Sequence, residues 1–187
     1  MKIRTAVLLS LVTLAPLGTA RAQISNPLKF TVFAGAALPV GDTQDAVKTG
    51  YTVGGALDFR VPLSSLGVRG EVVYSALDFK GLAGSGVDAD FSDFGLNANI
   101  VAWLPTAPGG MLQPYLTAGP SYSRLKASAS GSGVSESESE NHWGFNAGGG
   151  LQFALGGLGT RLDARYRRIS AEGGSFQIIP ITFGLTF

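Results

Sequence analysis

An arginine-rich stretch near the C-terminus is the part of the sequence best suited to chemistry. The stretch RLDARYRRI, residues 161–169, holds four arginines and one aspartate within nine residues, whereas charged residues make up only 14% of the chain. Such a cluster can bind nucleic-acid phosphates, serve catalysis or be structural. The charges occupy every second position, at Arg161, Asp163, Arg165 and Arg167. This alternation indicates a β-strand with two different faces.

Other candidates for chemistry are few. His142 is the only histidine and cysteine is absent, so the chain offers neither a His/Cys metal cluster nor a thiol nucleophile. The run ESESE at residues 136–140 carries carboxylates that can bind calcium weakly, but a solvated loop tip is the simpler interpretation, and a surface-interaction loop is a third. We therefore predict no catalytic residue, no cofactor and no metal site.

The N-terminus has the features of a secretory signal peptide. A basic start and an apolar stretch over residues 6–17, too short to span a bilayer, precede the A-x-A motif ARA. We predict that residues 1–22 are removed before Gln23 and that residues 23–187 form one domain. Without the three basic residues of the leader, 11 basic residues face 13 acidic ones. This balance argues against nucleic acid as a partner.

The remaining chain divides into eight segments in which apolar and polar residues alternate, as expected of β-strands. Their lengths suit strands that cross a membrane at a tilt. Three short connections and one intermediate connection interleave with three long ones, a pattern typical of outer-membrane barrels. The segments comprise residues 28–38, 51–61, 66–77, 91–104, 111–123, 142–155, a seventh segment that contains 161–169, and 176–187.

A soluble β-sandwich would show the same alternation, so other features must separate the two folds. All eight segments have an apolar face, and closure of the first strand on the last would remove the sheet edges that a membrane does not tolerate. The opposite face is rich in glycine, which leaves room for long inward side chains. We predict an all-β fold, an eight-stranded antiparallel up-and-down transmembrane β-barrel. Aromatic residues near the ends of the apolar bands fit interfacial girdles: Tyr51, Tyr74, Tyr122, Trp143, Tyr166 and Phe187.

Three further stretches carry a resemblance to a known family. They are PYLTAGPSY from residue 114, ARYRR from residue 164 and the C-terminal IIPITFGLTF. With the signal peptide, they resemble the small outer-membrane barrels of the OmpA-transmembrane-domain and OmpX type, over the whole mature chain. The resemblance implies the bacterial outer membrane as location. It also implies that the barrel-assembly machinery reads the final strand through Phe187 and the apolar residues that alternate before it.

The inward face of such a barrel carries charges of both signs. An eight-stranded barrel is just wide enough for its own side chains to fill it, and buried charges are costly unless they are paired. We predict an inward salt-bridge network that plugs the lumen. Its members are Lys29, Asp58, Arg60, Arg69, Glu71, Asp93, Arg161, Asp163, Arg165 and Arg167.

Three functions stay open on this interpretation. The first is a structural or surface-interaction barrel with a filled lumen and no enzymatic activity. The second is a small channel for ions or solutes, gated by the charge network. The third and most distant is a lipid-modifying enzyme of the outer membrane, although the His-x-Ser pattern of the deacylases is absent at His142, where the sequence reads HWG.

Four cations break the rule that outward-facing residues are apolar. At the bilayer midplane an arginine would cost roughly 2–4 kcal/mol, but this falls to about 0–1 kcal/mol near the interface. We therefore place these cations at the outer rim, where they can pair with lipopolysaccharide phosphates. Outer-membrane lipid and lipopolysaccharide are thus expected partners of a monomeric barrel. The rim cations are Lys80, Arg124, Lys126 and Arg168.

Overall fold

Eight antiparallel strands close into a barrel, which confirms the predicted fold class. The computed structural model describes residues 27–79, 88–106, 111–131, 134–155, 157–171 and 174–187. Each strand pairs with its neighbours in sequence, and β1 closes on β8. The strands are β1 (Leu28–Pro39), β2 (Gly50–Arg60), β3 (Leu66–Asp78), β4 (Asp88–Trp103), β5 (Leu112–Gly131), β6 (Val134–Leu155), β7 (Leu158–Ala171) and β8 (Gly174–Thr186).

Alternation along each strand separates an outer apolar surface from the inside of the barrel. In β3, exposed and buried residues alternate almost without interruption, as period-two geometry requires. Closure is made by the register of β1 on β8, in which Val32 lies opposite Leu185 and Ala34 opposite Phe183. Among the described residues, no α-helix is long and apolar enough to cross a membrane.

Two strands are longer than the sequence predicts. The predicted loop between residues 123 and 142 is a continuation of β5 and β6, which pair with each other from Leu112 and Phe153 as far as Gly131 and Val134. Before Gly144 in the chain, β6 pairs with β5 alone, because the β6–β7 ladder starts at that residue. Two paired strands satisfy each other's backbone groups on the shared side without apolar side chains. The Ser- and Gly-rich composition therefore concealed the ribbon.

The barrel has two distinct ends. We call the end that carries the beginning of β1 and the end of β8 the terminal end; the turns after β2, β4 and β6 also lie there. The opposite end, with the β5–β6 ribbon, is the hairpin end. There, the connection between β1 and β2 contains a short helix, α1 (Thr43–Ala46), and Val47 bridges to Phe79. This connection folds back over the inside of the barrel.

Candidate functional site

The centre of the lumen holds three arginines and three carboxylates supplied by β2, β3 and β7. Asp58 accepts a hydrogen bond from Nε of Arg69 at 2.5 Å and another from Nη1 of Arg161 at 3.3 Å. Asp163 lies 2.6 Å from Nε of Arg161. Strand pairing explains this proximity, since Asp58 and Arg69 are directly opposite each other across β2 and β3. One aspartate thus joins the two sides of the barrel.

Glu71 connects this cluster to the amides of β4. Its carboxylate accepts a short hydrogen bond from Nη1 of Arg165, and its other oxygen lies 3.6 Å from Nη2 of Arg161. Asn97 and Asn99 donate to Glu71 at 3.4 Å and 3.1 Å. The carboxylate therefore has both ionic and amide partners, which a buried charge requires.

A separate ion pair lies closer to the hairpin end. Nη1 of Arg167 is 2.6 Å from Asp93, and its Nη2 donates to Oγ of Ser123 at 2.9 Å. A Cβ placed on Gly95 would be only 2.5 Å from that Nη2. The glycine on the inward face of β4 thus leaves the space that the guanidinium occupies.

The eight charges in these two groups balance. Each is at most 4% exposed, and four arginines face four carboxylates, so the buried set carries no net formal charge. Such a set avoids the high cost of an unpaired ion in a low-dielectric interior. The eight residues are Asp58, Arg69, Glu71, Asp93, Arg161, Asp163, Arg165 and Arg167. We call them the lumen network.

Lys29 and Arg60 do not belong to this network, contrary to the sequence-based prediction. Both lie on the inward face, but at the terminal end, where Lys29 is exposed and Arg60 half-buried. Arg60 stacks on the ring of Trp103 at 4.2 Å, and among the described residues neither cation forms a salt bridge. Water reaches this mouth of the barrel, so a charge there needs no carboxylate partner.

Apolar side chains cluster at the hairpin end of the lumen, a feature that the sequence reasoning missed. Val47, from the connection after β1, packs there, and the rings of Phe91 and Phe176 are 4.6 Å apart. The inward alternation held some signal, because Leu77 follows Ser75 on β3 and Ile169 follows Arg167 on β7. The buried members of this apolar plug are Ala37, Val47, Leu77, Leu125, Ile169, Phe176 and Ile178.

Three of the four predicted rim cations are exposed on the outside of the barrel. Arg124 and Lys126 lie on β5, where Arg124 donates to Oγ of Ser139 at 3.0 Å. Arg168 lies on β7, level with Phe145. The fourth, Lys80, lies outside the described residues, as does the predicted leader. The outward aromatic pairs Tyr51–Tyr74 and Tyr122–Trp143 are at the same end.

The remaining polar candidates lie on the β5–β6 ribbon. His142 lies 3.1 Å from Glu140 on the exposed ribbon. The side chains of Glu136 and Glu138 are outside the described set. Within the part of the chain that the structure describes, no group of three His, Cys, Asp or Glu residues is placed to hold a metal ion.

Comparisons with known proteins agree with this architecture. Residues 6–187 match the family model described as an outer membrane protein beta-barrel domain, in agreement with the resemblance drawn from the sequence. No curated protein matches the chain.

Solved structures give the same picture of the fold. Neisserial surface protein A is 17% identical with a TM-score of 0.62, and the match covers 86% of this chain and 96% of that one. The attachment invasion locus protein Ail of Yersinia pestis is 20% identical with a TM-score of 0.51, over 86% and 97% of the two chains. A major outer membrane protein of Thermus thermophilus is 16% identical with a TM-score of 0.59, over 87% and 99%.

Proposed function

The chain belongs to the outer membrane protein beta-barrel domain family, and from that premise we propose that it is a non-conducting, non-enzymatic barrel of the bacterial outer membrane with a structural or surface-interaction role. In this family short turns face the periplasm and longer loops face outward. The terminal end is accordingly assigned to the periplasm and the hairpin end to the cell surface.

The observation that supports this proposal most strongly is the content of the lumen. The lumen network fills its middle with eight nearly inaccessible charged side chains. The apolar plug lies beyond it at the hairpin end. A hydrated ion would have to displace paired charges and then pass an apolar layer, and each step carries a high free-energy barrier.

A small channel is the second candidate, and buried polar atoms favour it. Oγ1 of Thr117 and Oδ1 of Asn146 are inaccessible and have no hydrogen-bond partner among the described residues. Such atoms are sites for ordered water. A continuous row of water molecules through the lumen would support the passage of ions.

Solute permeation separates these two candidates. The purified barrel is reconstituted into liposomes, and swelling is followed in isotonic arabinose beside protein-free liposomes made from the same lipid. We expect the two swelling rates to be equal at every protein-to-lipid ratio. A rate that rises with protein content would replace the proposal with the channel function.

The surface role is proposed for the hairpin end, where the rim cations and the β5–β6 ribbon lie. The name of the attachment invasion locus protein, which shares this fold, makes attachment one of the interactions to consider. Lipopolysaccharide is the partner we propose for the cations, because guanidinium and ammonium groups form charge-assisted hydrogen bonds with phosphates.

Substitution of the rim cations tests this partner. The variant R124Q/K126Q/R168Q should lose most of the rise in melting temperature that lipopolysaccharide gives to the parent protein. Lys29→Gln, which removes a cation at the opposite end, is the matched control and should keep that rise. An undiminished rise in the triple variant would refute lipopolysaccharide binding by these residues.

Export and assembly complete the proposal. We propose that the leader is cleaved before Gln23, that the assembly machinery reads the strand ending in Phe187, and that the barrel is monomeric. The mass of the protein purified from outer membranes tests the cleavage site. A mass that includes residues 1–22 would contradict it.

A further inference from the structure

We propose that the terminal mouth of the barrel is a binding site for a small polyanion that carries carboxylate or phosphate groups, held between Lys29 and Arg60. This site is independent of whether the lumen conducts, because it lies between the lumen network and the terminal end and opens to water.

Strand register brings the two cations together. Lys29 on β1 lies opposite Asp58 on β2, and Arg60 is two residues further along β2 on the same inward face. Diagonal neighbours of this kind have Cα atoms about 7–8 Å apart, within reach of long side chains. A ligand with two anionic groups can therefore contact both residues.

No salt bridge within the described ranges neutralises the two cations at the mouth. Asp58 is the acidic residue that lines this cavity, but its two oxygens are already paired with Arg69 and Arg161. Lys29 and Arg60 form no salt bridge among the described residues. Two cations on one concave, partly desolvated wall attract anions more strongly than isolated surface charges do.

The wall behind Arg60 holds its guanidinium in place. Trp103 stacks on it at 4.2 Å and is itself fixed by donation from Nε1 to Gln152 at 3.1 Å. Gly67, opposite Arg60 on β3, makes room for the ring, because a Cβ there would lie 2.7 Å from it. A preorganised guanidinium loses little conformational entropy on binding and presents planar donors to a carboxylate or phosphate.

The cavity has the size of a small metabolite. It measures about 300 Å³ and is bounded by Pro27, Pro62 and Ser64 on the side of the turn after β2. A second hollow of about 270 Å³ shares Lys29 and Gln152 with it and adds Gln113 and Thr186. Amides and a hydroxyl thus surround the cations, which suits an anion that also carries hydroxyl groups.

The two tryptophans of the chain provide a direct assay. Trp103 lies under Arg60, whereas Trp143 is 67% exposed on the outer surface. In the W143F protein, refolded in nonionic detergent, fluorescence therefore reports on Trp103 alone. Citrate and inorganic phosphate are titrated separately at constant ionic strength, with sucrose as the neutral control, and calorimetry on the unsubstituted protein gives a second readout.

We expect a saturable change with citrate, phosphate or both, and none with sucrose. A response to citrate alone identifies carboxylates as the ligand class, and a response to phosphate alone identifies phosphates. Lys29→Gln and Arg60→Gln should each weaken binding about tenfold or more. Lys48→Gln, which removes an exposed cation at the hairpin end that belongs to neither proposed site, should leave the affinity unchanged.

Lys29→Gln is the decisive variant, since Arg60 is the cation that stacks on Trp103 and the loss of Lys29 leaves that stacking in place. The proposal is overturned if neither anion gives a saturable signal in either readout. It is also overturned if Lys29→Gln binds as tightly as the parent protein, or if Lys48→Gln weakens binding equally.

Discussion

At the scale of single residues, two properties determine what a charged side chain does. One is whether its place in the alternation faces the lumen, and the other is its depth along the barrel axis. Alternation along the strands placed all ten predicted charges on the inward face. Depth could not be read from alternation, because the sequence does not say how far each strand extends beyond its neighbours. Arg161 therefore pairs with carboxylates in the middle of the lumen, whereas Arg60 stacks on Trp103 at its mouth.

The pair Arg167–Asp93 offers the simplest test of the energetics of the lumen network. The pair is buried, and Arg167 also donates a hydrogen bond to Ser123. Asp93→Asn leaves the arginine buried without its counter-charge and should lower the free energy of unfolding by about 3–5 kcal/mol. The double variant D93N/R167M should cost less than Asp93→Asn alone, because it removes both charges.

Urea unfolding in lipid vesicles, followed by tryptophan fluorescence, measures these differences. Lys126→Gln serves as the exposed control and should change stability by less than about 0.5 kcal/mol. Arg167→Met alone is measured as the second single variant. If the double variant loses as much stability as Asp93→Asn and Arg167→Met together, the charges are not coupled and the pairing argument is wrong.

At the scale of secondary-structure elements, glycines on β3 show how the two faces of a strand differ. A Cβ at Gly67 would lie 2.4 Å from the carbonyl oxygen of Phe59 and 2.7 Å from the ring of Trp103, whereas one at Gly70 would meet nothing within 4 Å. The two glycines are three residues apart and face opposite sides of the barrel.

Alanine at each position tests this difference. Gly67→Ala should destabilise the barrel by about 1–3 kcal/mol, since the backbone of β2 or the ring of Trp103 must shift. Gly70→Ala should change stability by about 0.5 kcal/mol or less. The same unfolding measurement compares them, and equal losses would show that inward packing does not decide the outcome.

The strands themselves were predictable because lipid imposes alternation, and six of the seven starting points assigned from the sequence fall within three residues of the observed ones. The exception is β6, which begins at Val134 and not near His142. Its first residues extend past the end of β7 and pair with β5 alone, where neither a lipid nor a lumen selects apolar residues. Serine and glutamate alternate over residues 135–140, but the apolar face by which the other segments were recognised is absent there.

At the scale of the whole molecule, the barrel is layered along its axis. Lys29 and Arg60 lie at the terminal end, the neutral lumen network lies in the middle, and the apolar plug lies towards the hairpin end. The sequence predicted the middle layer from charged residues at alternate positions. The plug escaped prediction because it combines inward residues from several strands with Val47 from a connection, and that contact exists only in three dimensions.

Ion conductance in planar bilayers is the most direct test of the central claim that this layered lumen is closed. The unsubstituted barrel, shown to be folded by its heat-modifiable electrophoretic mobility, is inserted in 1 M KCl. Salt at this concentration screens exposed charges within about 3 Å but acts much less on buried pairs. A closed lumen predicts a baseline without discrete, stable current steps. Reproducible steps whose number grows with the amount of folded protein would contradict it.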